Sequence, residues 1–302
     1  MATGNLTVSE LAVYQNSYEE MFSEELQQKQ SRLMRTVQLF NKTADKNYYD
    51  RIEKITVRKK TGSHEKVISD PASYQRRFYE YDTYYSDIVV DKDDMLRMAN
   101  EPGNAIVGQM RQAMAREHDA EIIRSFFADV KTGDDGSTVA TFPSANQVAV
   151  DFAFGGGGSN SNLGVDKLLK GIETLQANEA MDPSEPLYCG ITAAMERALK
   201  RDSDFKDFDF NNSKPLTMRG LPEWQGIQFI RCEFLETDDN GYVRCPLYTP
   251  KAMRFNAPTL ENLRLREDPD YHFNPHFYIA SRFGGNRQYE NAIVEIKCDI
   301  TV

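Results

Sequence analysis

One stretch constrains this chain more than any other, and it runs from Asp91 to Lys131. It opens on an acidic turn, Asp91-Lys92-Asp93-Asp94, followed by a short apolar-periodic piece, Met95-Leu96-Arg97-Met98. The turn signal Asn100-Glu101-Pro102-Gly103 interrupts the pattern. The longest helical pattern in the chain then extends from about Asn104 to Lys131. Ile106, Met110, Ala113, Ala120, Ile123, Phe127 and Val130 recur at spacings of three, four and seven, which is one face of a helix. Pro102 suits a helix start and Gly133 a helix stop. At 1.5 Å per residue the predicted rod is about 40 Å long, enough to serve as the spine of a flat, extended subunit.

Composition narrows what surrounds that rod. A chain of 302 residues is expected to form about two domains and to bury roughly 75% of its unfolded surface without disulfides or metals. The apolar fraction of 40% and charged fraction of 27% are those of a soluble globular protein. No apolar run reaches the roughly 18 residues of a membrane span, and Met1–Asn5 lacks the features of a signal peptide. The four cysteines stand far apart, so C-x-x-C zinc or dithiol chemistry is excluded and buried, inert thiols are expected. A net charge of −10 argues against a general nucleic-acid binder.

Residues 1–45 read as an amphipathic arm, with one helical stripe at Tyr14, Tyr18, Met21, Phe22 and Leu26 and a second at Leu33, Val37 and Phe40. An arm without a core of its own must dock, on its own domain or on a neighbouring copy. Residues 46–90 read as a long two-stranded excursion, with Ile55 and Val57 alternating in the first limb and Phe78, Tyr79, Tyr81, Tyr84 and Tyr85 in the second. It is basic where the rest is acidic, through Lys54, Arg58, Lys59, Lys60, Lys66, Arg76 and Arg77. A lone hairpin is marginal in water, so it needs a surface, and its charge favours an acidic one.

Gly155–Gly158 reads as a flexible connection, because neither phosphate-cradling glycine pattern fits it. A compact α+β unit follows: a helix over Val165–Ala180, a strand over Leu187–Ile191, a helix over Ala193–Lys200 capped by Thr192, and strands at Gly226–Ile230 and Val243–Thr249. Leu260–Val302 alternates as strands that must pair upstream. Catalytic constellations are sparse. His272 and His276 flank Pro275 in an extended piece, too far apart to share an ion. His118 reads as part of a charged helix face, and no G-x-S-x-G elbow occurs. No catalytic, cofactor or metal residues are assigned.

Several collinear segments resemble the major capsid protein of tailed bacteriophages. Arg76-Arg77, Tyr84, Asp87, Val89, Asp91 and Asp94–Met98 look like that family's joint between extended loop and spine helix. Lys131–Ser137 is similar to its turn after the spine, Ala177-Asn178-Glu179 and Gly226–Arg231 to its apical helix and strand, and Val294–Asp299 to its C-terminal strand. The resemblance covers roughly residues 46–300. It implies an α+β tailed-phage major capsid fold: an N-terminal arm (1–45), an extended hairpin loop (46–90), a peripheral domain with the spine helix (91–160 and 261–302) and a compact axial domain (161–260).

The resemblance also implies a function. The chain would be a non-enzymatic virion protein, assembled in the host cytoplasm, that forms hexamers and pentamers of an icosahedral head around double-stranded DNA. An encapsulin-like compartment shell is the alternative with the same fold. Implied partners are the chain itself, a separate scaffolding protein, a portal and decoration proteins, with DNA near by packaging alone. Arg58, Lys59, Lys60, Arg76 and Arg77 would lie over an adjacent subunit and meet acidic residues there, among them Asp91, Asp93, Asp94 and Glu101. Some family members crosslink a loop lysine to a distant asparagine. Lys59, Lys60 and Lys66 are all possible donors here, and no pair is assigned.

Overall fold

A computed structural model gives the fold. It describes residues 28–41, 47–60, 62, 66, 69–92, 103–156, 158–182, 184–202, 205, 221, 223–257, 262–268 and 271–301. The first arm stripe, Met95–Met98, Pro102 and His64 lie outside the described residues. Elements are numbered below in chain order among those described. The chain divides into two compact units: Met1–Gln30, Tyr84–Ala115 and Glu261–Ser281 form one, and Ser31–Thr83, Arg116–Leu260 and Arg282–Val302 form the other.

The larger unit holds two sheets of its own. The first has the strand order β7-β14-β10-β8-β9, built from β7 (Gln147–Val148), β8 (Leu187–Ile191), β9 (Ile227–Arg231), β10 (Val243–Tyr248) and β14 (Ile293–Cys298). Its central strands β10 and β14 pair antiparallel over their whole length, from Val243↔Cys298 to Tyr248↔Ile293. Both strands are buried along most of their length, and the charges they carry inward, Arg244 and Glu295, pair with each other at 2.6 Å.

Helix α2 (Val165–Ala177) lies on this sheet, with Leu168, Ile172 and Leu175 facing inward. Gly171 lets the backbone come close, because a Cβ there would stand 2.7 Å from the Leu247 side chain. The first turn of α2 is capped from α3 (Ala193–Arg201), whose flanking Asp202 accepts from the Val165 amide at 3.2 Å. The Thr192 hydroxyl caps α3 itself, accepting from the Met195 amide at 3.4 Å. These elements match their sequence reading to within a few residues.

The second sheet, β2-β3-β5-β6, joins β2 (Asn47–Ile52) and β3 (Tyr74–Tyr79) to β5 (Val130–Thr132) and β6 (Thr138–Ala140). The spine helix, α1 (Gly103–Phe127), is 25 residues long and stops short of the Lys131 expected from periodicity. Val130–Thr132, with β-branched residues at both ends, leaves the helix and pairs with Thr138–Ala140 instead. Gly133 and Gly136, with φ of +91° and +71°, make the turn between them.

The arm reading changes over its described part. Leu33 and Val37 are buried, but the backbone forms a 3-10 turn over Met34–Thr36 and a strand β1 (Gln38–Phe40) rather than a helix. β1 runs parallel to β11 (Met253–Asn256). Asp119 of α1 pins this entry, accepting from the Arg32 amide at 2.9 Å, the Leu33 amide at 3.1 Å and the Ser31 hydroxyl. Residues 31–40 therefore dock on their own chain.

The sequence also placed His118 on a charged helix face. His118 is instead 8% exposed, edge-on to the Phe283 ring at 4.3 Å. It faces inward because Glu117 and Glu121, at other angles around the helix, take the outward positions and pair with Arg124.

The smaller unit contains β4 (Asp82–Val89) from Tyr84 onward, β12 (Asn262–Asp268) and the first part of β13 (Asn274–Arg287). β12 and β13 form a hairpin in register from Asn262↔Ala280 to Asp268↔Asn274, and β4 pairs with β13. His272 and Phe273, with φ of +54° and +58°, turn this hairpin. His276 is in strand and buried at 4% exposure. The tyrosine-rich second limb of the sequence reading is thus two strands, β3 and β4.

Candidate assembly surface

Of the residues expected to touch another copy, the basic excursion between β2 and β3 carries Arg58, Lys59 and Lys60, and Arg76 and Arg77 stand on β3. Its base is a regular ladder from Asn47↔Tyr79 to Ile52↔Tyr74, closed by the Glu53 amide donating to the Ser73 carbonyl at 3.0 Å. Beyond that bond the first limb is not a strand over residues 53–60, so the expected β alternation of Ile55 and Val57 does not form. These two side chains are 77% and 96% exposed, and Tyr48, Ile52 and Tyr74 on the ladder are exposed as well. Five large apolar side chains are thus exposed on the excursion and its base.

Its charges divide into paired and unpaired. Arg58 forks onto both Asp70 oxygens at 2.8 Å, across the excursion. Arg76 binds Asp50 at 2.8 and 3.1 Å and covers the Tyr48 ring at 4.5 Å. The Asp50 carboxyl is held below its ordinary range by that bond to Arg76. Lys54 meets Glu179 at 3.2 Å, with both side chains 81% exposed, so the pair contributes little. Lys59 and Lys60 are exposed and make no ion pair among the described residues.

Arg77 departs from the expected set. Sequence grouped it with Arg76, but neighbours along a strand point to opposite faces, and Arg77 is 1% exposed. Its guanidinium pairs with Glu290 and donates to the Arg287 carbonyl at 2.8 Å. Arg51 reaches the same carboxylate at 3.3 Å and the Gln288 carbonyl at 3.2 Å. Burial raises the Glu290 carboxyl, but the charge and hydrogen bond of Arg77, with Arg51 behind them, outweigh it and leave the group below its ordinary range.

Arg287 turns the other way. It donates to the carbonyls of Phe126, Ala128 and Ala140 at 3.0, 2.9 and 3.3 Å, placing a cation at the end of α1 where the last carbonyls lack partners. Burial pulls its guanidinium down to about 10. Arg77, Glu290 and Arg287 thus tie β3 to the end of the spine helix. Arg77 belongs to the support of the excursion rather than to its surface. No sequence signal marked Arg287 or Glu290, because the three residues meet only through pairing of distant segments.

Of the acidic residues expected to receive this surface, Asp91 is exposed and already has an interaction partner. Asp93, Asp94 and Glu101 lie outside the described residues. All four cysteines are buried free thiols, with Cys189 and Cys245 sulfurs 3.4 Å apart and the Cys232 thiol pushed up to about 12 by burial. Among the described residues no group of three His, Cys, Asp or Glu could hold a metal ion, and no helix is long and apolar enough to cross a membrane.

The model of the phage capsid protein family matches residues 11–300. The chain belongs to that family. It is a major capsid protein, a component of the shell of a phage head. No curated protein sequence matches it. Solved capsids have the same fold at very low identity. A subunit of the acid-stable capsid of Helicobacter pylori bacteriophage KHP30 is 10% identical with a TM-score of 0.75, covering 99% of this chain and 100% of that one. The cyanophage Pam1 capsid subunit is 13% identical with a TM-score of 0.74, covering 99% of both. A capsid subunit of a native GTA particle is 14% identical with a TM-score of 0.66, covering 97% and 99%. These matches give no support to an encapsulin-like compartment. The capsid protein's α+β architecture is the one its collinear motifs implied.

Proposed function

We propose that copies of this capsid protein associate as hexamers and pentamers of an icosahedral head around double-stranded DNA, with the β2–β3 excursion lying over an adjacent copy. The supporting observation is the excursion itself, with Ile55 and Val57 uncovered and Lys59 and Lys60 without ion pairs among the described residues. An apolar, basic arm gains by meeting apolar, acidic surface, and a protein of net charge −10 offers acidic surface on each copy. Arg58, Lys59, Lys60 and Arg76 form the basic side, and Asp91, Asp93, Asp94 and Glu101 the acidic side.

Each exposed ion pair is worth only about 0–1 kcal/mol, so charge sets register more than strength. Strength comes from many contacts closing a ring at high effective concentration. On this reading the chemistry is adhesion rather than catalysis. A scaffolding protein, a portal and decoration proteins are the further partners, assembly takes place in the host cytoplasm, and 161–260 forms the axial domain. The test is the double variant Lys59→Glu/Lys60→Glu, imaged by negative-stain electron microscopy after expression. Loss of shells with an unchanged subunit melting curve is expected, and shells at wild-type yield overturn the assignment.

A further inference from the structure

A second surface lies wholly within the smaller unit. On β12, Arg264 and Arg266 stand opposite Tyr278 and His276 of β13, so alternation puts all four side chains on one face of the sheet. β4 adds Tyr85, stacked on Tyr278 at 6.2 Å, and Asp87, whose carboxylate is 3.5 Å from His276 Nδ1. Asp87, Arg264, Arg266, His276 and Tyr278 line an open cavity of about 280 Å³. Arg264 is exposed and has no ion pair among the described residues. His276 is 4% exposed, and its buried Nε2 has no hydrogen-bond partner. A buried polar atom without a partner is uncommon in a finished interior and calls for an explanation.

We propose that this cavity receives a carboxylate side chain from a second copy of the chain, an inference that rests on the shell reading above. Two guanidinium groups on one face match an anion. A cavity of about 280 Å³ has room for an inserted side chain. With 46 acidic against 36 basic residues, every copy presents carboxylates to its neighbours. The surround is that of a protein contact, since Tyr85 is 69% exposed and Val89, on the same face of β4, is 39% exposed. Aromatic residues and arginines concentrate binding energy at such sites. The same acidity disfavours DNA as the occupant.

The experiment uses shells assembled from mixed nitrogen-14 and nitrogen-15 copies of Arg264→Lys, treated with a carbodiimide that joins amines to carboxylates without a spacer. Mixed-isotope peptides joining position 264 to an Asp or Glu are expected in shells and absent from dissociated subunits. In parallel, Arg264→Glu is expected to lower shell yield about tenfold or more, with the subunit still folded by circular dichroism. Wild-type yield of Arg264→Glu without mixed-isotope crosslinks overturns the proposal and leaves the shell reading standing. Normal Arg264→Glu shells that retain less DNA also overturn it, marking a nucleic-acid contact. If wild-type protein forms no shells, the shell reading fails and this inference with it.

Discussion

At the scale of single residues, the buried ionisable groups carry the sharpest consequences. Burial holds the His118 imidazole below its ordinary value of 6.5, against the pull of Asp119 and Glu117. The unfolded chain therefore binds the proton more readily, and stability is lost as pH falls below 6.5, by at most about 1.4 kcal/mol per pH unit. Thermal melting between pH 7.5 and 5 is expected to show that decline in the wild type and a flatter profile in His118→Phe. Glu290 acts in a lower window. Its depressed carboxyl stabilises the fold above its unfolded value of 4.5, and that stability is lost as pH drops through the folded value. Arg77→Met leaves this buried carboxylate with Arg51 at 3.3 Å and Arg287 at 3.9 Å. The change is expected to cost about 3 kcal/mol in a urea melt.

At the scale of elements, close backbone approach decides which substitutions the fold accepts. In β13 a Cβ at Gly284 would stand 2.2 Å from the Glu80 carbonyl oxygen, which is backbone and cannot swing away. Gly284→Val is expected to destabilise by about 2–3 kcal/mol. Gly62→Ala, in open space, should change the same urea melt by less than about 0.5 kcal/mol. A Gly284→Val midpoint matching the wild type would show that the Glu80 contact is not tight.

At the scale of the whole molecule, the assembly role proposed for the excursion predicts that folding and assembly use different parts of the chain. The bond from the Glu53 amide to the Ser73 carbonyl closes the β2–β3 ladder. Replacing residues 54–72 with a short turn is expected to leave the melting temperature within about 4 °C of wild type. The same variant should form no shells, as read by analytical ultracentrifugation. Large loops add little to folding free energy, so a collapse of stability in this variant would mean that the excursion belongs to the subunit core.

Periodicity and turn chemistry were enough to locate α2, α3, β8, β9, β10 and β14, because each buries its apolar side chains in a pattern of its own period. The collinear motifs were also enough for the family, whose model matches residues 11–300. Local pattern failed where distant segments competed for the same residues. Val130–Thr132 continues a helical stripe but pairs with Thr138–Ala140. Arg77 looks like its neighbour Arg76, yet Glu290 and Arg287 draw it inside. His276 and Arg266 are ten residues apart in the chain and become cross-strand partners only when the β12–β13 hairpin forms. Periodicity reports the face a side chain prefers. Which charge is buried, and beside what, depends on pairing between segments that have no local signal of one another.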